Sequence, residues 1–318
     1  MKATGFRNYA WGVLVYNLFV ILWGAYVRAT GSGAGCGSHW PLCDGQVIPR
    51  APQAETLIEF SHRLSSGLAF VLVVGLLIWA FRVFPRKHLV RWGASFSMFF
   101  IVTEALVGAG LVLFELVADH VSVARALSMA VHLVNTFLLL ASLTLAAWWA
   151  SGGESPRVKD HQVLSAVFGL GLIGMLILGV SGAVTALGDT LFPAQSLADG
   201  LRQDISPTAH FLVRLRLLHP LIAVSVALYL IFVAMSRNTA GYDTTTRRLA
   251  RALTLLLLTQ LGAGLVNVAL LAPVWMQLVH LLLADLVWIA LVLLAVSVLA
   301  TKAALIEEPR LSHHEFGL

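Results

Sequence analysis

Eight apolar stretches, each about 20 residues or longer, dominate this chain, and a run of that length is what an α-helix needs to cross a hydrocarbon core of roughly 30 Å. They fall at approximately 9 to 30, 58 to 81, 93 to 116, 126 to 149, 162 to 186, 208 to 235, 252 to 271 and 275 to 300. In lipid every backbone N–H and C=O must find a partner inside the protein, so such segments read as helices. Composition agrees: 58% of the 318 residues are hydrophobic, 12% are charged and mean hydropathy is +0.85, where soluble domains carry about a quarter charged residues. The first stretch is too long, and its polar flank too lightly marked, for a cleaved signal peptide, so it reads as the first of eight spanning helices.

A net charge of +5 and a pI near 9.6 would suggest a nucleic-acid partner in a soluble protein. In a membrane chain the same charges are first a topology signal. With the N-terminus inside, the outer side and outer helix ends hold only Arg28, Arg50, Arg63, Arg125, Arg202, Arg214 and Arg216, and the other fourteen of the 21 Lys and Arg residues lie inside. The expectation is a bacterial inner-membrane protein with both termini cytoplasmic, surrounded by lipid, with no nucleic-acid partner.

The outer loop from Gly31 to Glu55 contains both cysteines, Cys36 and Cys43, separated by six residues. On the oxidising side they suit a disulfide staple or a redox-active pair, and the spacing leaves both open. The polar stretch Ser151 to Asp160, with Gly152, Gly153 and Pro156, reads as a connector between halves. Across it, Gly108-Ala109-Gly110-Leu111-Val112 recurs as Gly262-Ala263-Gly264-Leu265-Val266, His132-Leu133 recurs as His280-Leu281, and His62 matches His219. Three matches in one order at nearly one offset indicate a duplicated unit, and an even number of helices per unit keeps both copies in the same orientation. The expected fold is an all-α integral membrane protein of eight transmembrane helices in two tandem parallel-repeat four-helix bundles. Residues 1–150 form the first bundle, 151–160 the connector, 161–301 the second bundle and 302–318 a cytoplasmic tail. Pro220, well inside the sixth helix, should bend it.

Seven of the eleven histidines, His39, His88, His120, His161, His210, His313 and His314, fall in loops, helix ends or the tail and read as solvated. His210, within three turns of His219, is also a candidate for a site role. His62, His132, His219 and His280 differ, because each lies one to three turns below the outer end of an even-numbered helix. Two opposed imidazoles on facing helices of a bundle are how a porphyrin iron is held at both axial positions. Zinc suits the set less well, since the second bundle lacks the carboxylates and thiols that complete its sites. A proton relay would not require a duplicated pair. Arg28, Arg63, Arg125, Arg214 and Arg216 lie at the depth where porphyrin propionates would emerge, and guanidinium suits carboxylates. Three residues before His62 stands Glu59, whereas three before His219 stands Arg216. Only the first bundle therefore has an acid over its porphyrin site, as a catalytic bundle beside an electron-storing one would. That carboxylate can act as a base or stabilise developing positive charge.

Thr30-Gly31-Ser32-Gly33 with Cys36, Trp40-Pro41-Leu42-Cys43 and Gly45, the block Glu59-Phe60-Ser61-His62-Arg63, and His132, His219 and His280 within eight helices together resemble the haem A synthase family. The resemblance spans nearly the whole chain. It implies oxidation of the C8 methyl of haem O to a formyl group by successive hydroxylations, with His62 and His132 holding the substrate haem and Glu59 assisting the chemistry. It also implies His219 and His280 as ligands of a haem b cofactor that relays electrons. Some family members carry a second cysteine pair in the later outer loop, which this chain lacks. The implied partners are a haem O synthase, a farnesyltransferase, and the haem-copper oxidase assembly machinery, and a homo-oligomer is left open. Two readings compete: a di-haem membrane cytochrome that transfers electrons without modifying haem, and a transporter built from parallel repeats.

Overall fold

The computed structural model describes residues 2–238 and 241–301, and among these the regular structure is helical, with only an isolated bridge between Cys43 and Gln46. The helices are α1 (Lys2–Ala29), α2 (Ala54–Val83), α3 (Leu89–Leu113), α4 (Val123–Ala150), α5 (Gln162–Leu191), α6 (Leu197–Ile205), α7 (Phe211–Leu215), α8 (Leu218–Arg237), α9 (Thr244–Ala269) and α10 (Val274–Ala300). Eight spans among them are long and apolar enough to cross a membrane, with α7 and α8 together forming the sixth. This is an integral membrane protein. The expected tail, 302–318, with His313 and His314, lies outside the described residues.

The sixth span breaks where proline chemistry requires. Pro220 has no N–H for the carbonyl of Arg216, four residues earlier, and the break between α7 and α8 falls at Arg216 and Leu217. Side-chain oxygens start other helices: Ser122 accepts from Arg125 N at 3.1 Å ahead of α4, and Asp243 accepts from Thr246 N at 2.6 Å ahead of α9.

The loop between α5 and α7 carries α6, a helix absent from the sequence-based expectation because it is polar, nine residues long and bears no span-like apolar run. Its start is marked by Ser196, which accepts from Asp199 N at 3.2 Å, while Gln195 N donates to the Asp199 carboxylate at 3.0 Å. A second correction concerns His161, expected to be solvated. It is buried, and its Nε2 lies 2.8 Å from the carbonyl of Thr301, tying the start of α5 to the end of α10.

Helix α1 packs on α2 and α4, α2 on α3, and α3 on α4. In the later part of the chain α5 packs on α8, α8 on α9, α9 on α10, and α10 back on α5. Each set is a ring in which α2 lies diagonal to α4, and α8 to α10. The rings meet where α4 packs on α5 and α10, and where α1 packs on α10. At that seam Trp288 stacks on Phe137 with ring centroids 5.0 Å apart and donates its indole N–H to the Phe137 carbonyl at 2.6 Å. Outward faces expose large apolar side chains such as Val163, Phe232 and Leu265, as a lipid-facing surface requires.

Within the first ring, α3 and α4 approach so closely at Gly93 that a Cβ there would lie 2.9 Å from Ala146 Cα. Because the obstacle is backbone, the strain has no rotamer to relieve it. Gly93→Ala is expected to lower stability by about 1–3 kcal/mol, read as a lower unfolding midpoint in detergent, and an unchanged midpoint would contradict this packing.

Candidate functional site

The second ring brings His219 of α8 and His280 of α10 across its interior with ring centroids 6.4 Å apart and planes at 83°. A metal ion between two imidazoles sits about 2 Å from each nitrogen, and each ring centre lies roughly 1 Å further back for ring bonds of ~1.33 Å. The centroids of such a pair stand about 6 Å apart, close to the observed spacing. The hydroxyl of Ser181 lies 2.9 Å from His219 Nδ1, which leaves Nε2 for a metal. The Gln260 amide nitrogen donates to the His280 carbonyl at 3.1 Å and lies 3.3 Å from its Nε2, while His280 Nδ1 is buried without a partner. Glycines make room for both rings. A Cβ on Gly182 would lie 3.1 Å from His219 Cε1, and one on Gly264 would lie 3.3 Å from His280 Cε1.

The first ring carries His62 and His132 on its two diagonal helices, with different supports. His62 of α2 lies against Gly24 of α1, where a Cβ would stand 2.9 Å from Cε1, and its Nδ1 is buried without a partner. His132 of α4 has its Nδ1 3.1 Å from Glu104 Oε1, a close contact off the straight hydrogen-bond direction. Among the described residues no group of three or more His, Cys, Asp or Glu is arranged to hold a metal ion. The facing pair His219 and His280, with His62 and His132 on diagonal helices of the other ring, fits axial ligation of a porphyrin iron better than a tetrahedral ion.

At one end of each ring a charged side chain one turn before the histidine holds the adjoining loop. Glu59 is buried: its Oε2 accepts from Cys36 N at 2.8 Å and its Oε1 accepts from the Arg63 guanidinium. Arg63 also donates to the carbonyls of His39 and Leu42, each at 2.6 Å. Cys36 and Cys43 are joined as a disulfide inside this loop. In the other ring Arg216 donates to Asp204 at 3.0 Å, to Asp189 at 3.1 Å, to Gln203 at 3.2 Å and to the Phe192 carbonyl at 3.3 Å, fastening α6 over α8. An acid clamps one loop and a base clamps the other.

These clamps occupy most of the arginines expected to meet propionates. Arg28 donates to the Ala186 carbonyl at 2.9 Å, to Thr190 at 2.7 Å and to Gln277 at 2.8 Å, bridging α1 to α5 and α10. Arg125 donates to the carbonyls of Ala118 and His120. Arg214 is exposed and has no partner among the described residues, so it is the candidate with a free guanidinium. His210 caps α7, accepting from Leu212 N at 3.3 Å, and stacks on Phe192. Sequence reasoning did not single out Gly24, Gly182, Gly264 or Glu104 as parts of the site. The dipeptide Gly-Ala at 24 and again at 182 was a readable signal for two of them.

If Glu59 holds the loop, Glu59→Ala frees the Cys36 backbone amide and Arg63 together. The disulfide is then expected to be reduced by dithiothreitol several-fold faster than in the parent, measured by alkylation of the released thiols. Equal rates would contradict the clamp.

A family model described as cytochrome oxidase assembly protein matches residues 7–292. A protein named protoheme IX farnesyltransferase from Thermus thermophilus is 57% identical over 300 residues, covering 94% of this chain and 49% of that protein. A heme A synthase from Shouchella clausii is 39% identical over 151 residues, covering 48% of each chain. A heme A synthase from Exiguobacterium sibiricum is 28% identical over 216 residues, 68% of this chain and 69% of that protein. The chain spans about half the length of the first curated relatives it matches. With eight apolar spans, two histidine pairs and a family match across nearly its whole length, the chain belongs to the haem A synthase family of cytochrome oxidase assembly proteins.

Proposed function

We propose that the chain is a haem A synthase, an oxidoreductase that converts the C8 methyl of haem O to a formyl group. The observation that carries this reading is the pair of helical rings, each presenting two histidines from diagonal helices, with a buried carboxylate, Glu59, one turn above the histidine of only one ring. His62 and His132 bind the iron of the substrate haem in the first ring, residues 1–150. His219 and His280 bind haem b in the second, residues 161–301, beyond the connector 151–160. When bound there, haem b supplies one-electron redox chemistry.

Each hydroxylation adds one oxygen from water to the methyl carbon and releases two protons and two electrons, the electrons leaving one at a time to an external one-electron acceptor. The second yields a geminal diol that loses water to leave the aldehyde. The protein fixes the macrocycle and holds charge near it. With one Glu59 oxygen accepting from Cys36 N and the other from Arg63, the carboxylate is a fixed negative charge rather than a free base. It stabilises positive charge as it develops on the substrate edge. The loop closed by Cys36 and Cys43 covers that ring and limits water. Arg214 offers a guanidinium to a propionate.

A family relative named protoheme IX farnesyltransferase contains a stretch close to this whole chain within a protein about twice as long. That supports a farnesyltransferase that makes haem O as the supplying partner, with a haem-copper oxidase receiving the product.

The test is expression with a haem O source, followed by extraction and chromatography of the haems. Haem A is expected from the parent chain. Protein that carries two haems and yields no formyl haem would make it a di-haem cytochrome. Glu59→Gln is expected to accumulate haem O or its alcohol while keeping the low-spin haem b spectrum; normal haem A output would remove Glu59 from the chemistry. His280→Ala is expected to lose the haem b spectrum, and an unchanged spectrum would overturn the ligand pairing.

A further inference from the structure

The four imidazoles differ in what stands behind them. His219 is backed by the Ser181 hydroxyl at 2.9 Å and His280 by the Gln260 amide, both neutral groups. His62 Nδ1 has no partner. His132 alone is backed by a carboxylate, Glu104 of α3, whose Oε1 lies 3.1 Å from Nδ1.

That carboxylate is itself held in place from several sides. The Thr136 hydroxyl donates to Glu104 Oε1 and the Asn135 amide donates to Oε2. Asn135 is fixed in turn, donating to the Phe100 carbonyl at 2.9 Å and accepting from the Thr103 hydroxyl at 2.6 Å. Thr136 and Asn135 lie on the same helix as His132, so α3 and α4 join in one polar cluster around the Glu104 carboxylate. Placing a carboxylate within a span is costly, and the clamps of the outer loops make no use of this one.

A carboxylate at the second nitrogen of a metal-binding imidazole fixes its tautomer and orientation and raises its strength as a donor. We propose that Glu104 is a positioning residue for the substrate haem. Its carboxylate, 3.1 Å from Nδ1, favours the tautomer that carries a proton on that nitrogen and leaves Nε2 for the iron, and it makes His132 the stronger donor of the His62 and His132 pair. This inference rests on the reading of that pair as ligands of the substrate haem. The result is an asymmetric axial pair in the first ring, set against neutral supports in the second. A stronger donor favours oxidised iron, so the group bound there is held at a lower potential than two neutral-backed histidines would give it.

The test is a redox titration of the full-length, haem-loaded protein, following the haem whose spectrum disappears in His132→Ala. Glu104→Gln is expected to raise the reduced-to-oxidised ratio of that haem at fixed potential about tenfold, which is ~59 mV for a one-electron couple, with the other haem unmoved. Glu104→Asp keeps the charge but withdraws it from the ring and is expected to shift the same way. Thr136→Val removes one donor from the carboxylate, leaving it a better acceptor for the imidazole, and is expected to shift the potential in the opposite direction. If Glu104→Asp stays at the parent value while Glu104→Gln shifts, charge alone acts and the positioning role is overturned. If the glutamate variants lose this haem, Thr136→Val decides, and no shift there overturns the inference. If His132→Ala leaves both haem spectra unchanged, the assignment of the substrate site fails instead.

Discussion

Two imidazoles can face each other across the interior of a helical ring only where the helix beside each leaves space for the ring to lie flat. Glycine opposite histidine meets that constraint at three of the four positions: Gly24 for His62, Gly182 for His219 and Gly264 for His280, each with hypothetical Cβ contacts of 3.3 Å or less. A methyl group at any of them would push an imidazole toward the space a porphyrin would fill. The fourth histidine, His132, is placed by the polar cluster of Glu104, Thr136 and Asn135 instead. This fitting of ring against backbone limits where the His62, His219 and His280 rings can lie within their helical rings.

Several charged residues divide between two tasks. An ion in a wall of apolar helices is costly unless it is paired or hydrogen-bonded. Glu59, Arg216 and Arg28 meet that cost with contacts that tie loops and rings together, while Asp285 of α10 is buried with neither carboxylate oxygen partnered among the described residues. Glu59 with Arg63 holds the disulfide loop, Arg216 with Asp189 and Asp204 holds α6, and Arg28 links α1 to α5 and α10. This changes the meaning of the contrast between Glu59 and Arg216. Both are clamps, and what distinguishes the first ring is the sign of the charge fixed above its histidine. Glu104, by contrast, faces His132 and no loop.

The eight spans were legible because apolar runs of spanning length are strong signals in a single sequence, and the rarity of ionisable groups within them is what drew the four histidines into the site reading. The break before Pro220 was legible too, since a missing N–H acts on a carbonyl four residues back. The loop clamps were not legible. The partner of Glu59 is the backbone amide of Cys36, 23 residues away, and no side-chain pattern announces such a bond. Arginines at one depth looked like propionate ligands because depth is readable from a sequence and direction is not. Helix α6 was hidden by its polarity, although Ser196 and Asp199 form a capping signal. The role of Gly24 was masked because a glycine in an apolar run reads equally well as a close helix contact.

The central claim is that each ring holds its own porphyrin between two histidines. The most direct measurement is the haem-to-protein ratio of purified chain, with absorbance spectra, for the parent and for two double variants, His62→Ala with His132→Ala and His219→Ala with His280→Ala. The account predicts two haems per parent chain and one per chain in each double variant, with the two remaining spectra summing to that of the parent. A parent ratio of one, or a double variant that keeps both haems, would contradict it.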